Sequence, residues 1–523
     1  MFQLFHLSPD KGTSLQKQLR EQIATAILNG NIPLDTPLPS SRKLAQQLGI
    51  ARNTVVLAYE HLLDDGYLIA RERRGYFVNP DILAGRVESP AGKVDSPAGK
   101  VNSQIGKGGN KAGQVDGQAE ATTPDTYLPD WEQRFKIRPS EQQNIVKAQD
   151  WQSYDYPFIY GQFDEKIFPS VNWRECCRDA ASDAAVSDWA SDSMDHDDPR
   201  LIEQIRTRLL PRRGVWASPE QILVTVGSQQ SLFMLVQLLL DQQSVLGLEE
   251  PGYVDVRNIA SLHQCQLKPL AIDKRGLVVN DQLNDCDLIY TTPSHQCPTT
   301  VTMPIERRYE LLRKASQENF LIIEDDYESE TNFDSKPNPA LKSLDESDRV
   351  IYIGSLSKTL APGLRLGYVV ASERLIEEAR ALRRLMIRHP ASNNQRAAAL
   401  FLERGYHDAL VMNIARNYQV RWRAMNEALT QHLPGCHDTP TFGGSCYWVR
   451  GPEGLDAGML KRRAAEESIF IEPGAIHFYG ANSPKDCVPK NYFRLGFSSI
   501  STDRIEPGIK KLAAIIRELC PEV

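Results

Sequence analysis

Two stretches decide the fold: FLIIEDD at 320–326 and VIYIGSLSKTLAPGLRLGY at 350–368. Each opens on a short, almost unbroken apolar run of strand length, rich in β-branched residues. Each run ends in side chains with chemistry to offer. The same signature recurs in ILVTV (222–226), SVLGLEE (244–250) and DLIYTT (287–292). Helical patterns intervene, such as SLFMLVQLLL (231–240) and PIERRYELLRKAS (304–316). Strands that are apolar on both faces and alternate with helices predict an α/β fold with a mainly parallel sheet, covered on both sides. Such sheets bind ligands beyond the carboxyl ends of their strands. That rule draws attention to Asp325, Tyr327, Ser355 and Lys358.

These residues and their neighbours form a constellation that suits pyridoxal phosphate. The cofactor needs a lysine amine, a carboxylate at its ring nitrogen, a phosphate cradle and a flat group against the ring. Lys358 is the candidate catalytic amine, 33 residues after Asp325, the candidate for the ring nitrogen. Tyr327 could hydrogen-bond the phenolic oxygen. Ser355 and Arg365 are placed for the phosphate, whose oxygens suit a guanidinium fork. The backbone N–H groups of Ser228 and Gln229, in GSQQSL (227–232), would meet the same dianion at a helix start. Tyr253, in LEEPGY, is the stacking candidate. His295, in TTPSHQCPT, is expected near the cofactor oxygen.

Outward from this region, residues 1–80 read as a separate module. Leu15, Leu19, Ile23 and Ile27 make one helix face, stopped at Gly30. Ser40 or Ser41 can cap a second helix with Leu44, Ala45 and Leu48 inward, closed by Gly49. A third runs from about Arg52 to Asp65 with Val55, Tyr59, Leu62 and Leu63 inward. Tyr67–Ala70 and Tyr76–Val78 then flank the basic RERRG. Two helices around a short glycine turn, followed by a basic hairpin, describe a winged helix-turn-helix. In that geometry Arg52, Asn53 and Thr54 start the helix that reads the major groove. Arg42, Arg71 and Arg73 would touch phosphates.

Net charge is −7, yet residues 40–76 carry six basic groups against four acidic ones. A small basic reader on an acidic chain is the expected pattern. Between the parts lies a stretch poor in apolar groups, with a seven-residue near-repeat: VESPAGK (87–93), VDSPAGK (94–100), VNSQIGK (101–107). It cannot bury enough surface to offset its ordering entropy. The expected organisation is therefore a DNA-binding domain at 1–80, a flexible linker at 81–150 and an effector domain at 151–523. The nine cysteines show no CxxC spacing, so no metal site and no disulfide framework is expected. The N-terminus has no signal-peptide pattern and no apolar run reaches membrane length, which predicts a cytoplasmic protein without a membrane partner.

The segment LPSSRKLAQQLGIARNTV…YEHLLDDGYLIARERRGYFV resembles the winged helix-turn-helix of the GntR family. That resemblance implies DNA contacts by Arg42, Arg52, Asn53, Thr54 and the wing glycine Gly75. Residues from about 155 to 520 resemble fold-type I aminotransferases. There the resemblance implies that Arg494, in YFRLGFS, binds a substrate carboxylate; Arg257 is a second candidate for carboxylates or sulfonates. The phrases FPSVNW, LLPRRGV, EQILVTVGSQQSL, EEPGY, TPSHQ, IEDDYESE and GSLSKTLAPGLRLGY together resemble the MocR group of regulators. Two places depart from that group. Its Tyr-x-Asp-Pro-x-Gly stretch is MDHDDPRLIEQI (194–205) here, and the aromatic and glycine after TPSHQ are Cys297 and Thr300. The resemblance implies a homodimer that binds double-stranded operator DNA. Its pyridoxal-phosphate-binding domain would sense a small amino compound, or the cofactor itself. The alternative is a catalytically active aminotransferase.

Overall fold

The computed structural model describes residues 5, 7, 14–28, 30–34, 36–64, 66–71, 74–80, 130–162, 164–330, 338–437, 443–480 and 488–521. The chain divides into two compact units, Met1–Asp125 and Thr126–Val523.

In the first unit, α1 (Leu15–Leu28), α2 (Ser41–Leu48) and α3 (Arg52–Asp64) precede a hairpin of β1 (Leu68–Arg71) and β2 (Gly75–Val78). The expected caps hold α2: Ser40 accepts the Lys43 N–H, and Gly49 ends the helix at φ +66°. Leu19, Ile23, Leu44, Val55, Tyr59 and Leu62 close one core, while Leu63 is only half-buried. The hairpin is tied back to the helices. Leu38 N–H donates to Tyr76 O at 2.7 Å, and the Tyr59 hydroxyl donates to Pro39 O at 3.0 Å.

The first strand of the second unit is β3 (Tyr156–Pro157), and the unit is organised around a sheet of eight further strands. These are β4 (Ile222–Thr225), β5 (Val245–Glu250), β6 (Gln266–Asp273), β7 (Gly276–Leu277), β8 (Leu288–Thr291), β9 (Leu321–Asp326), β10 (Val350–Ser355) and β11 (Gly367–Val370). Their order is β4-β11-β10-β9-β8-β5-β6-β7. The central run β10-β9-β8-β5-β6 is parallel, and β11 runs antiparallel to both its neighbours. The sheet is therefore mainly parallel. The five strands read from sequence are all present. β11 was hidden because its apolar run continues directly from the polar turn GLRLG. A small sheet follows, built from β12 (Cys446–Arg450), β14 (Glu472–Pro473) and β15 (Tyr492–Gly496), while β13 (Ile469–Phe470) pairs with β3.

Apolar clusters cover the main sheet. Leu232, Leu235 and Val236 of the helix Ser228–Leu239 pack against Leu223, Ile353 and Val369. Leu311 and Ala315 of the helix Ile305–Glu318 pack with Ile289 and Ile322. No helix among the described residues is long and apolar enough to cross a membrane.

The linker expected at 81–150 needs one correction. Residues 81–129 lie outside the described residues, but 130–150 belong with the second unit. Gln142 Nε2 donates to Asn258 O at 2.9 Å, and Asn258 Nδ2 donates to Gln143 O at 2.9 Å and Asn144 Oδ1 at 3.0 Å. Composition marks this segment as polar, but the buried Asn258 needs partners and finds them there.

Candidate functional site

Alternation along β9 sorts three adjacent carboxylates by face. Glu324 accepts the N–H groups of Leu341 (2.7 Å) and Lys342 (2.8 Å). Asp326 accepts Arg213 Nε (2.7 Å) and the Tyr352 hydroxyl (2.8 Å). Both are structural. Asp325, between them, lines a cavity of about 500 Å³. The Tyr290 hydroxyl donates to its Oδ2 at 2.9 Å, and its buried Oδ1 meets no donor among the described residues. Burial pushes the Asp325 carboxyl up to about 7, with the Tyr290 bond opposing and Asp326 adding to the rise. A buried carboxylate oxygen without a partner is costly, so this one is poised for an N–H or a cation.

Across the cavity stands Lys358, its Nζ 4.1 Å from the centroid of the Tyr160 ring. Burial lowers its pKa; Glu328 opposes that shift and Arg494 adds to it. An amine biased towards its neutral form is ready to attack a carbonyl.

A cradle lies at the end of β4. Gly227 takes φ +76°, and a Cβ there would stand 2.8 Å from Arg365 Nη2. Only glycine lets the guanidinium sit against this turn. The helix Ser228–Leu239 starts immediately afterwards, so the free N–H groups of Ser228 and Gln229 sit at its positive end. Ser355 ends β10, and its Oγ accepts the Ser357 N–H at 3.3 Å. Ser228, Gln229, Ser355 and Arg365 line the same cavity as Lys358 and Asp325. Tyr253 also lines it. Its ring lies near-parallel to Tyr290, with centroids 6.5 Å apart, and its hydroxyl is 2.9 Å from Asp255 Oδ2. Together these groups can hold a flat, phosphorylated ring with a protonated nitrogen.

Four expectations change here. Tyr327 lines the cavity, but its hydroxyl donates to His295 O at 2.9 Å. The His295 ring is buried outside the cavity lining, with neither nitrogen bonded among the described residues. The turn at 291–300 presents Cys297 to the cavity instead. Arg257 is also outside the lining: its guanidinium donates to Phe478 O (2.6 Å) and Ile476 O (2.9 Å). The helix Val254–Leu262 turns that residue into the protein, where these two carbonyls take its Nη donors while Nε meets no acceptor among the described residues. Arg494 does line the cavity, but Nε and Nη2 both face Glu472 Oε2, at 2.9 and 2.8 Å.

Sequence reasoning missed Lys147, Tyr160 and Tyr290, all in the lining. Tyr290 carried a signal: a tyrosine hydroxyl in an apolar strand needs a buried partner. Thr300 holds φ +64°, a conformation that costs a β-branched residue about 1–2 kcal/mol and glycine nothing. In the departure at 194–205, Asp197 pairs with Arg383 (2.6 Å) and Arg380 (3.0 Å). Asp198 caps the helix Pro199–Gln204 and pairs with Arg396 at 2.7 Å. A larger cavity of about 1040 Å³ beside these residues contains none of the expected site residues.

In the first unit, Arg52, Asn53 and Thr54 form the first turn of α3, with Arg52 and Asn53 exposed. Arg42 is exposed in the first turn of α2. Arg71 is exposed and lies 4.5 Å over the Phe77 ring. Gly75 turns the wing at φ +100°. Arg73 lies outside the described residues.

Residues 15–78 match the bacterial regulatory proteins of the gntR family, and residues 175–512 match aminotransferase class I and II. The HTH-type transcriptional regulator TauR of Rhodobacter capsulatus is 36% identical, over 98% of this chain and 99% of its own. The probable rhizopine catabolism regulatory protein MocR of Rhizobium meliloti is 29% identical, over 97% of this chain and 94% of its own. Among solved structures, the kynurenine aminotransferase of Pyrococcus horikoshii superposes with TM-score 0.68 at 27% identity, covering 75% of this chain and 98% of that one. The likeness to the enzyme stops at the large unit, whereas the likeness to the regulators runs nearly end to end, and on that ground the chain belongs to the MocR-type regulators of the GntR family.

Proposed function

We propose that this chain binds double-stranded operator DNA through its N-terminal unit, and that the Lys358 cavity holds pyridoxal phosphate and senses a small amino compound. One observation carries the reading. A chain with a GntR-type helix-turn-helix also keeps Lys358 and Asp325 in one cavity, with a buried Asp325 oxygen that meets no donor among the described residues. Lys358 would hold the cofactor, Asp325 its ring nitrogen, and Arg365, Ser355 and the Ser228–Gln229 N–H groups its phosphate. The bound cofactor supplies an electron-withdrawing ring to whatever amine enters. The protein's own part is to keep Lys358 neutral enough to exchange, to hold a negative charge at Asp325, and to exclude bulk water with Tyr253 and Tyr160.

The sensing reading requires that the amine bind two states of the protein unequally. A homodimer is part of the proposal. Leu385 (84% exposed), Met386 and Ile387 end the helix Glu373–Ile387 as an apolar patch, the kind of surface a partner copy covers. A cytoplasmic location follows from the DNA partner.

The test is operator binding. The full chain selects its site from a random DNA pool, and affinity is then measured by fluorescence anisotropy with and without pyridoxal phosphate and a panel of small amines. The expected result is a change in affinity on adding an amine to wild type and none in Lys358→Ala. An amine effect of equal size in both proteins would refute the role of the cavity. The retained Lys358 and Asp325 also favour a second reading, an active aminotransferase. Sustained turnover of an amino acid with a keto acid would select it.

A further inference from the structure

Helix α3 carries a pair of apolar side chains that its own unit does not use. Val55, Ala58, Tyr59 and Leu62 face inward and build the core. Val56 and Leu57 do not belong to that core. Val56 is half-buried, and Leu57 is 44% exposed. Among the described residues of the first unit, Leu57 is the one large apolar side chain left exposed. A surface leucine needs no explanation by itself. The position of this one does.

Residues four apart lie on the same helix face. Val56 therefore follows Arg52, and Leu57 follows Asn53, one turn further along the outward face. Arg52 and Asn53 are exposed, and they stand where a helix-turn-helix carries side chains into the major groove. Arg52 is steered from α2, because its Nε donates to Ser41 Oγ at 3.5 Å. The charges around this face suit DNA. Neither α2 nor α3 has a carboxylate in its first turn, and Arg42 and Lys43 of α2 are exposed. The carboxylates Glu60 and Asp64 of α3 are exposed in its second half. They would be repelled by phosphates if the whole helix lay in the groove. The half that enters is therefore residues 52–57, with Val56 and Leu57 at its inner end.

An aliphatic side chain makes no hydrogen bond, so on the major-groove base edges it has one group to match, the thymine methyl. We propose that Val56 and Leu57 read thymine methyls beside the bases that Arg52 and Asn53 read. Four residues of helix advance about 6 Å, and base pairs stack about 3.4 Å apart. Each operator half-site should therefore hold a thymine about one or two base pairs from those that Arg52 and Asn53 contact. This rests on the reading of the first unit as operator-binding and assigns part of its sequence preference.

The test uses the full chain and the operator it selects from a random DNA pool. Each thymine of the half-site is replaced in turn by deoxyuridine, which removes the methyl and keeps every hydrogen-bonding group. Affinity is measured by fluorescence anisotropy for wild type, Val56→Ala and Leu57→Ala. Wild type should lose about three- to fivefold at one or two of the thymines, the effect of a buried methyl group. Each variant should bind the unmodified operator about as weakly as wild type binds the uracil form, and should be blind to the methyl that its missing side chain reads. Neither side chain supports the core, so both variants should melt at the wild-type temperature, which separates a lost contact from a lost fold. Uracil penalties of equal size in wild type and both variants would report the stiffness of the DNA rather than a contact, and would overturn the proposal. A wild type indifferent to every methyl would overturn it too. If the pool yields no preferred sequence at all, the operator reading itself has failed, a result distinct from a preferred sequence that is read without its methyls.

Discussion

The Tyr290 hydroxyl donates to Asp325 Oδ2 across 2.9 Å, which commits one carboxylate oxygen to the protein and leaves Oδ1 for the cavity. This bond joins β8 to β9, and it places the charge that a bound pyridinium nitrogen would require.

Asp325 should make the cofactor-free protein less stable as pH rises. Its folded pKa is raised to about 7 from 3.8, so the folded state holds a proton that the unfolded state has lost. The folded state is therefore penalised progressively from pH 4 to pH 7, by on the order of 4 kcal/mol at full effect. Asp325→Asn removes the penalty. Urea melts without cofactor should show the variant gaining on wild type between pH 5 and pH 8. With pyridoxal phosphate present the order should reverse, because wild type alone can pair its charge with the ring nitrogen.

Gly227→Ala should damage the phosphate cradle without touching the reader. The substitution forces an alanine to φ +76° and sets its Cβ 2.8 Å from Arg365 Nη2. Left-handed backbone costs about 1–2 kcal/mol, and the displaced guanidinium adds to that. Affinity for pyridoxal phosphate should fall at least about tenfold, as read by equilibrium dialysis. Unchanged affinity would mean that the phosphate binds elsewhere.

In the first unit, Arg52→Ala should cost about 1–3 kcal/mol of operator binding and relax sequence preference, since base contacts specify. Arg42→Ala should instead weaken binding to all sequences and lower the salt slope by about one. Neither change should alter cofactor absorbance.

The reader was legible almost to the residue, because its helices are amphipathic, capped and local: Ser40, Gly49 and the face Val55–Tyr59–Leu62 fall where periodicity puts them. Lys358, Asp325 and Arg365 were legible because strand ends in a parallel sheet converge. The alternation that gives Asp325 to the cavity and Asp326 to Arg213 lies within one strand, yet the direction of the faces had to come from the fold. His295 and Arg257 misled for a shared reason. Each is polar and close in sequence to the site, and each is turned away by one or two residues of loop or helix. Lys147 could not be read at all, since nothing in a polar, proline-bearing stretch shows that Asn258, more than a hundred residues later, will hold it in place.

The central claim is that Lys358 receives pyridoxal phosphate, and the visible spectrum of the purified full chain beside Lys358→Ala tests it most directly. Wild type should show an absorbance band distinct from free cofactor, removed by borohydride and shifted by a small amine, while Lys358→Ala should show neither response. Spectra identical to free cofactor in both proteins, even with excess pyridoxal phosphate, would contradict the account and leave a DNA-binding protein whose large unit only shares an enzyme's fold.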